Sequence, residues 1–290
     1  MATIRPLIVI VGPTASGKTA LAITLAKRYD GEVICADSRT VFRDMNIGTA
    51  KPTAEEMQGI PHWGLDLTQP GKRFTAAAFQ SYARDVIADI RSRGKVPIMV
   101  GGTGLYVDGV LFNYQYPSEP TSQERAYFEQ LSLEELYRYC VEHGIQLPVN
   151  DKNKRHLIHA ALRNGTEPQR NKQLHTDTYV YGIAVANSVL QQRIQIRTEH
   201  MFEDGVVEEA KQLGEMYGWD NEAMTSNIYP LLHAYLQGKT TRQQVMETFM
   251  TRDRQLAKRQ LTWFRRNPYI QWGHSDDILR SVEELFTTEQ

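Results

Sequence analysis

The sequence predicts an α/β fold, a parallel sheet flanked by helices and interrupted by a helical insertion, and three observations predict it. Two short runs, Pro6 to Val11 and Val96 to Val100, are too continuously apolar to present a face to water, and such runs read as strands buried on both sides. Segments of helical period alternate with them, which implies parallel strands joined by right-handed crossovers. From about Tyr114 to Thr178 the apolar strands stop, and only polar helices and loops follow.

Taken in order, PLIVIV at 6–11 is the first strand, followed by GPTASGKT at 12–19 and a helix to about Tyr29. A second strand, Glu32 to Ala36, ends at Asp37. Thr75 is placed to cap a helix whose apolar stripe is Phe79, Ala83, Val86, Ile87 and Ile90, with Gly94 as its stop. The strand VPIMV at 96–100 opens into Gly101-Gly102-Thr103-Gly104. Within the insertion, Ser132 to Glu135 reads as a capping box, and Leu133, Leu136, Tyr137, Cys140 and Val141 form the expected stripe up to Gly144. TYVYGIAVA at 178–186 returns to strand character. More helices follow, including a long one from about Thr241 to Arg266, then a short strand, Tyr269 to Trp272, and a last helix. The domain division expected is a core of 1–113 and 178–290 around an insertion of 114–177.

Composition narrows the class. A chain of 290 residues buries roughly 75% of its unfolded surface and folds without staples. Hydrophobic residues are 41% and charged residues 23%, ordinary for a folded soluble protein. Only Cys35 and Cys140 occur, without metal-ligand spacing, which excludes a disulfide framework or zinc finger and suits a reducing cytosol. Both read as small buried hydrophobes, and His62 reads as structural. No run approaches the roughly 20 apolar residues of a bilayer span, and the N-terminus lacks a signal-peptide core. A soluble cytoplasmic protein is expected, and its net charge of −1 means that any basic surface is local.

The strongest motif is Gly12-Pro13-Thr14-Ala15-Ser16-Gly17-Lys18-Thr19, a G-x-x-x-x-G-K-T between a buried strand and a helix. Its glycines let backbone N–H groups turn onto phosphate oxygens, Lys18 adds a point charge, the Thr19 hydroxyl can ligate Mg²⁺, and the helix N-terminus adds its dipole. A di- or triphosphate site in a P-loop NTPase-like core follows. An ordinary P-loop ATPase carries a second acid at the end of another strand, yet Val96 to Val100 ends in Gly101-Gly102-Thr103 without one. The carboxylate stands instead at Asp37. Because carboxyl ends of strands share one crevice in an open parallel sheet, Asp37, Thr103 and the loop are expected to converge there. From spacing alone Asp37 reads either as a general base facing phosphate or as a turn residue. Arg193 and Arg197, at i and i+4, share one helix face, and a solvated face is the usual reading of such a pair.

Two basic stretches stand out. One holds Lys152, Lys154, Arg155, Arg163, Arg170 and Lys172 with His156 and His159, against the single acid Glu167. The other holds Arg252, Arg254, Lys258, Arg259, Arg265 and Arg266 against Asp253, interleaved with Trp263 and Phe264. Basic residues track nucleic-acid phosphates and aromatic faces stack on extruded bases. The opposite face of the second helix, with Val245, Phe249, Leu256 and Phe264, reads as core.

Four segments in order, GPTASGKT, ICADSRTVFRDMNIGTAKP, VGGTGLY at 100–106 and AKRQLTWFRR at 257–266, together resemble the tRNA dimethylallyltransferases, or tRNA isopentenyltransferases, over about residues 6 to 272. The resemblance implies transfer of the dimethylallyl group of dimethylallyl diphosphate to the N6 amine of the adenine just 3′ of a tRNA anticodon. Diphosphate leaves, Mg²⁺ is the cofactor, and the partners are dimethylallyl diphosphate and the anticodon stem-loop of tRNA; neither a membrane nor a second subunit is expected. It makes Asp37 the base, gives Thr103 the reacting centre and leaving group to hold, and makes Arg197 a diphosphate clamp. Gly12 to Thr19 take the diphosphate, with Thr19 on the metal. Contacts to tRNA are implied for Asp37, Ser38, Arg39, Thr40, Arg155, His159, Lys258, Arg259, Gln260, Thr262, Trp263 and Arg265. The chain departs from the family's pattern at 153–162, where His156 and His159 stand at usual arginines, at Ser226 to Pro230, and at Thr40 and Phe42. It lacks the zinc-finger extension of eukaryotic relatives, so a bacterial type is expected. A P-loop small-molecule kinase, an isopentenyltransferase acting on free adenosine phosphates, and a non-catalytic tRNA-binding module are the competing readings.

Overall fold

The computed structural model describes residues 5–116, 120–164 and 169–288. Among these the chain runs β1 (Leu7–Val11), α1 (Lys18–Arg28), β2 (Gly31–Ala36), α2 (Ala54–Met57), β3 (His62–Trp63), α3 (Ala76–Ser92), β4 (Val96–Gly101) and α4 (Gly104–Leu111). Helices α5 (Ser122–Gln130), α6 (Leu133–Glu142) and α7 (Lys154–Arg163) follow. Then come β5 (Thr178–Ile183), α8 (Asn187–Glu203), α9 (Val206–Tyr217), α10 (Tyr229–Leu236), α11 (Arg242–Phe264), β6 (Ile270–Gly273) and α12 (Ser275–Thr288). The six strands form one sheet in the order β3-β2-β4-β1-β5-β6, and every pairing is parallel. The continuous apolar runs follow from this: β1, β2 and β4 are buried at every residue, because helices cover both faces of a parallel sheet.

Local signals act where the sequence puts them. The Thr75 hydroxyl accepts the Ala78 N–H, and Phe79, Ala83, Val86, Ile87 and Ile90 of α3 are all buried. Gly94 ends that helix at φ 73. Cys35 is buried in β2, and desolvation, reinforced by the Asp37 charge, pushes its thiol up to about 12, leaving it inert. His62 sits in β3 with Nδ1 at 2.8 Å from the Ile60 carbonyl.

The chain divides into two compact units, Met1–Leu111 with Gln173–Gln290, and Phe112–Lys172. The second contains α5, α6 and α7 around Phe128, Leu136, Cys140, Ile145, Leu157 and Ile158. Ser132 forms the expected capping box with Glu135. The stripe predicted for α6 is narrower than its period suggests: Leu136 and Cys140 are buried, but Leu133, Tyr137 and Val141 are exposed. A three-helix unit covers only one narrow face of each helix, so the flanking apolar positions stay at the surface.

Candidate active site

The site lies in the first unit, at the carboxyl ends of β2, β4 and β1, which are adjacent in the sheet. The loop after β1 carries Ala15 at φ 60 and Gly17 at φ 90. Only the second is a residue for which such backbone costs nothing, and Gly17 directly precedes α1. Lys18 folds back so that Nζ donates to the Pro13 carbonyl at 3.0 Å. Burial pulls the Lys18 ammonium down to about 8; the Asp37 carboxylate opposes that shift and the Arg197 guanidinium adds to it.

Asp37 follows β2 directly. One carboxylate oxygen accepts the Arg39 N–H at 2.8 Å, an Asx turn. Asp37 also lines two adjoining cavities, so the turn role and a role at the cleft are compatible. Beyond β4, the Thr103 hydroxyl accepts the Ser38 N–H at 2.9 Å and donates to the Ser38 hydroxyl at 3.3 Å, which ties the ends of β2 and β4 together. The missing acid at the end of β4 has a steric cause. A Cβ at Gly102 would fall 2.3 Å from the Gln260 amide, and one at Gly104 would fall 2.2 Å from the Trp263 ring. Helix α11 lies against that turn and crowds both glycines.

Arg197, on α8, donates to the Thr14 hydroxyl at 2.7 Å and pairs with Asp253 of α11. Asp253 is buried and also accepts from the Asn227 amide at 2.9 Å. Arg193, one turn before Arg197, is exposed yet donates to the Ser16 carbonyl at 3.0 Å. Gln260 bridges the turns after β1 and β4, accepting the Thr14 N–H at 2.7 Å and donating to the Gly102 carbonyl at 3.1 Å.

The smaller cavity, about 230 Å³, is walled by Thr14 to Thr19 with Asp37, Thr40 and Arg197. The larger, about 350 Å³, adds Ser38, Arg39, Thr103, Arg259 and Gln260, with the apolar Met201, Phe249 and Leu256. The Thr14 to Thr19 loop, a carboxylate and an apolar wall therefore meet in one cleft. Among the described residues no group of three or more His, Cys, Asp and Glu side chains gathers to hold a metal. The Thr19 hydroxyl, on a residue lining the smaller cavity, suits a hard cation that keeps waters and substrate phosphates as its remaining ligands.

The other predicted residues are distributed as follows. Lys258 and Thr262 stand exposed on α11 and Arg265 stands exposed just past its end, and Arg155 and His159 stand exposed on one face of α7 in the second unit. Thr40 is buried, and Arg39 reaches the Glu222 carbonyl at 3.1 Å. Trp263 is half-buried, donating from Nε1 to Asp108 at 2.8 Å with the Arg266 guanidinium over its ring. Phe264 is fully buried, so of the two aromatics only Trp263 retains a partly open face. Glu167 lies outside the described residues. The sequence reading passed over Asp253, Asn227 and Thr49. Asp253 had a signal: with Val245, Phe249 and Ala257 it completes an i, i+4 stripe, and a carboxylate on a buried stripe needs a buried cation.

Comparison with known proteins shows the family. The IPP transferase family model matches residues 40–267. The tRNA dimethylallyltransferase of Macrococcus caseolyticus is 38% identical over 96% of this chain and 94% of its own length. That of Anoxybacillus flavithermus is 37% identical with the same coverage. The full-length tRNA isopentenylpyrophosphate transferase of Bacillus halodurans superposes with a TM-score of 0.75 at 32% identity, covering 99% of this chain and 96% of that one. A eukaryotic dimethylallyltransferase acting on tRNA gives 0.78 at 26% identity over 93% of this chain and 74% of that one. Matched at this identity along nearly its whole length, the chain belongs to the IPP transferase family.

Proposed function

We propose that the chain transfers the dimethylallyl group of dimethylallyl diphosphate to the N6 amine of the adenine 3′-adjacent to a tRNA anticodon, releasing diphosphate. The observation that carries this reading is the meeting of the Gly12 to Thr19 loop, Asp37 and an apolar wall in one cleft, in a chain of this family. The bond broken is C–O, so the chief task is to stabilise a departing diphosphate. The loop amides, Lys18 and Arg197 act on it, with Thr103 at the reacting end. An exocyclic adenine amine is a very weak acid, so Asp37 takes its proton as the N–C bond forms and not before. Met201, Phe249 and Leu256 supply an apolar wall for the prenyl group. Thr19 would hold Mg²⁺, which when bound would neutralise charge on the diphosphate. The exposed basic residues Lys258 and Arg259 of α11 and Arg265 at its C-terminal cap track tRNA phosphates, with Arg155 and His159 of the second unit supplying further contacts.

Ligand response tests the reading. Dimethylallyl diphosphate with Mg²⁺ should raise the melting temperature more than ATP with Mg²⁺ does. The reverse order would favour a kinase.

A further inference from the structure

We infer that Glu209, which lines neither cavity, is a positioning residue for the reaction: it fixes the turn at 46–50 that walls the cleft. That turn belongs to no helix or strand, so its amides must find partners elsewhere. Three successive ones find a single carboxylate. The N–H groups of Asn46 and Ile47 donate to one oxygen of Glu209 at 2.8 and 2.7 Å, and that of Gly48 donates to the other at 2.8 Å. The second oxygen also accepts the Tyr229 hydroxyl at 2.8 Å. Consecutive amides converging on an anion form charge-assisted hydrogen bonds, stronger than neutral ones.

The clamp has a steric half. Tyr229 is fully buried, and its ring presses on Gly48 so closely that a Cβ there would fall 2.6 Å from it. Lys51 closes the turn from within, donating to the Phe42 carbonyl, the Asn46 side chain and Asp66 at 2.9, 2.9 and 2.6 Å. What is held matters to the cleft, because Thr49 and Ala50 line both cavities. Ala50 sits at φ 52, a left-handed conformation that a residue with a Cβ keeps only when its surroundings impose it. Glu209 thus acts on the cleft through the backbone of the turn. It also gives the buried Tyr229 hydroxyl its partner.

The inference rests on the proposed prenyl transfer, and the test separates the two. Glu209→Gln replaces one accepting oxygen with an NH₂ that faces N–H donors. Tyr229→Phe keeps the ring on Gly48 and removes one hydrogen bond, so it carries the test if the first variant does not fold. With dimethylallyl diphosphate and tRNA, Glu209→Gln should lower kcat and raise the KM for the diphosphate substrate, together roughly ten- to a hundredfold in kcat/KM, as expected for a wall displaced by about 1 Å. The KM for tRNA should change less, since the proposed tRNA contacts Lys258, Arg265, Arg155 and His159 line neither cavity. Tyr229→Phe should shift the same constants in the same direction by less. Calorimetric titration with inorganic diphosphate and Mg²⁺ gives a readout independent of prenyl transfer, and the same variants should bind it several-fold more weakly. Parental constants in both variants would overturn the inference, as would a loss shared equally by both substrates. A parent that binds inorganic diphosphate but forms no prenylated tRNA would overturn the proposed function alone, and the titration would still decide the role of Glu209.

Discussion

Replacing Asp37 by asparagine separates a proton acceptor from a metal ligand. The substitution is mild by construction. Asparagine keeps an oxygen to accept the Arg39 N–H, now at 2.8 Å, so the Asx turn survives. It does remove a charge that raises the Lys18 pKa, so Lys18 titrates below its present value of about 8. Measuring the rates across a pH series separates that effect from the carboxylate's own role. While Lys18 is protonated, affinity for dimethylallyl diphosphate should be nearly retained. Single-turnover rates should fall roughly 10²–10⁴-fold, the usual worth of a positioned base, or about 3–5 kcal/mol of barrier. Lys18→Ala should differ by weakening binding as well, because Lys18 serves both the bound substrate and the leaving group. The rates are to be measured across a Mg²⁺ series. Recovery of Asp37→Asn in excess Mg²⁺ would refute the reasoning and make Asp37 a metal ligand.

Other consequences are open to measurement. Since Lys18 loses its proton above about 8, and an anion binds its charged form, affinity for dimethylallyl diphosphate should fall above that pH; Lys18→Arg, charged throughout, should remove the bend. Neutralising Arg259 and Arg265 together should lower the log–log salt slope of tRNA binding by about 0.7–0.9 for each phosphate no longer neutralised, and an unchanged slope would make them merely solvated. Away from the cleft, Glu32 is buried against Arg93, Trp63 and Lys95. Hydrogen bonding to Arg93 chiefly holds its carboxyl down at about 2. A depressed carboxylate stabilises the fold above its unfolded value of about 4.5, and that contribution should fade as acid titration proceeds from there through about 2. Glu32→Ala should cost about 1–3 kcal/mol in denaturant melts and flatten this acid limb. The loss stays moderate because Arg93 and Lys95, 37% and 31% exposed, can rehydrate.

The parts legible in the sequence are those whose physics is local. A buried strand, a phosphate loop and a helix start are written in consecutive residues, so β1, Gly12 to Thr19 and α1 fall where the motif puts them. The same holds for the caps at Thr75 and Ser132. Convergence of Asp37 with Thr103 followed from a topological rule, since carboxyl ends of neighbouring parallel strands share a crevice. What stayed hidden depends on packing across distant segments. Nothing near Gly102 announces that Gln260 fills the space beside it, and no spacing links Glu209 to the amides of Asn46 to Gly48. The apolar period of α6 likewise could not reveal that its unit covers only Leu136 and Cys140. Such long-range contacts are set by the tertiary fold, and a single sequence carries only half of each pair.

The most direct measurement of the central claim is nucleoside mass analysis of unmodified tRNA after incubation with the protein, dimethylallyl diphosphate and Mg²⁺. Isopentenyladenosine should form in the tRNA, map to the adenosine 3′ of the anticodon, and be lost with Asp37→Asn or Lys18→Ala. Product on free adenosine phosphate with none in tRNA would contradict the account.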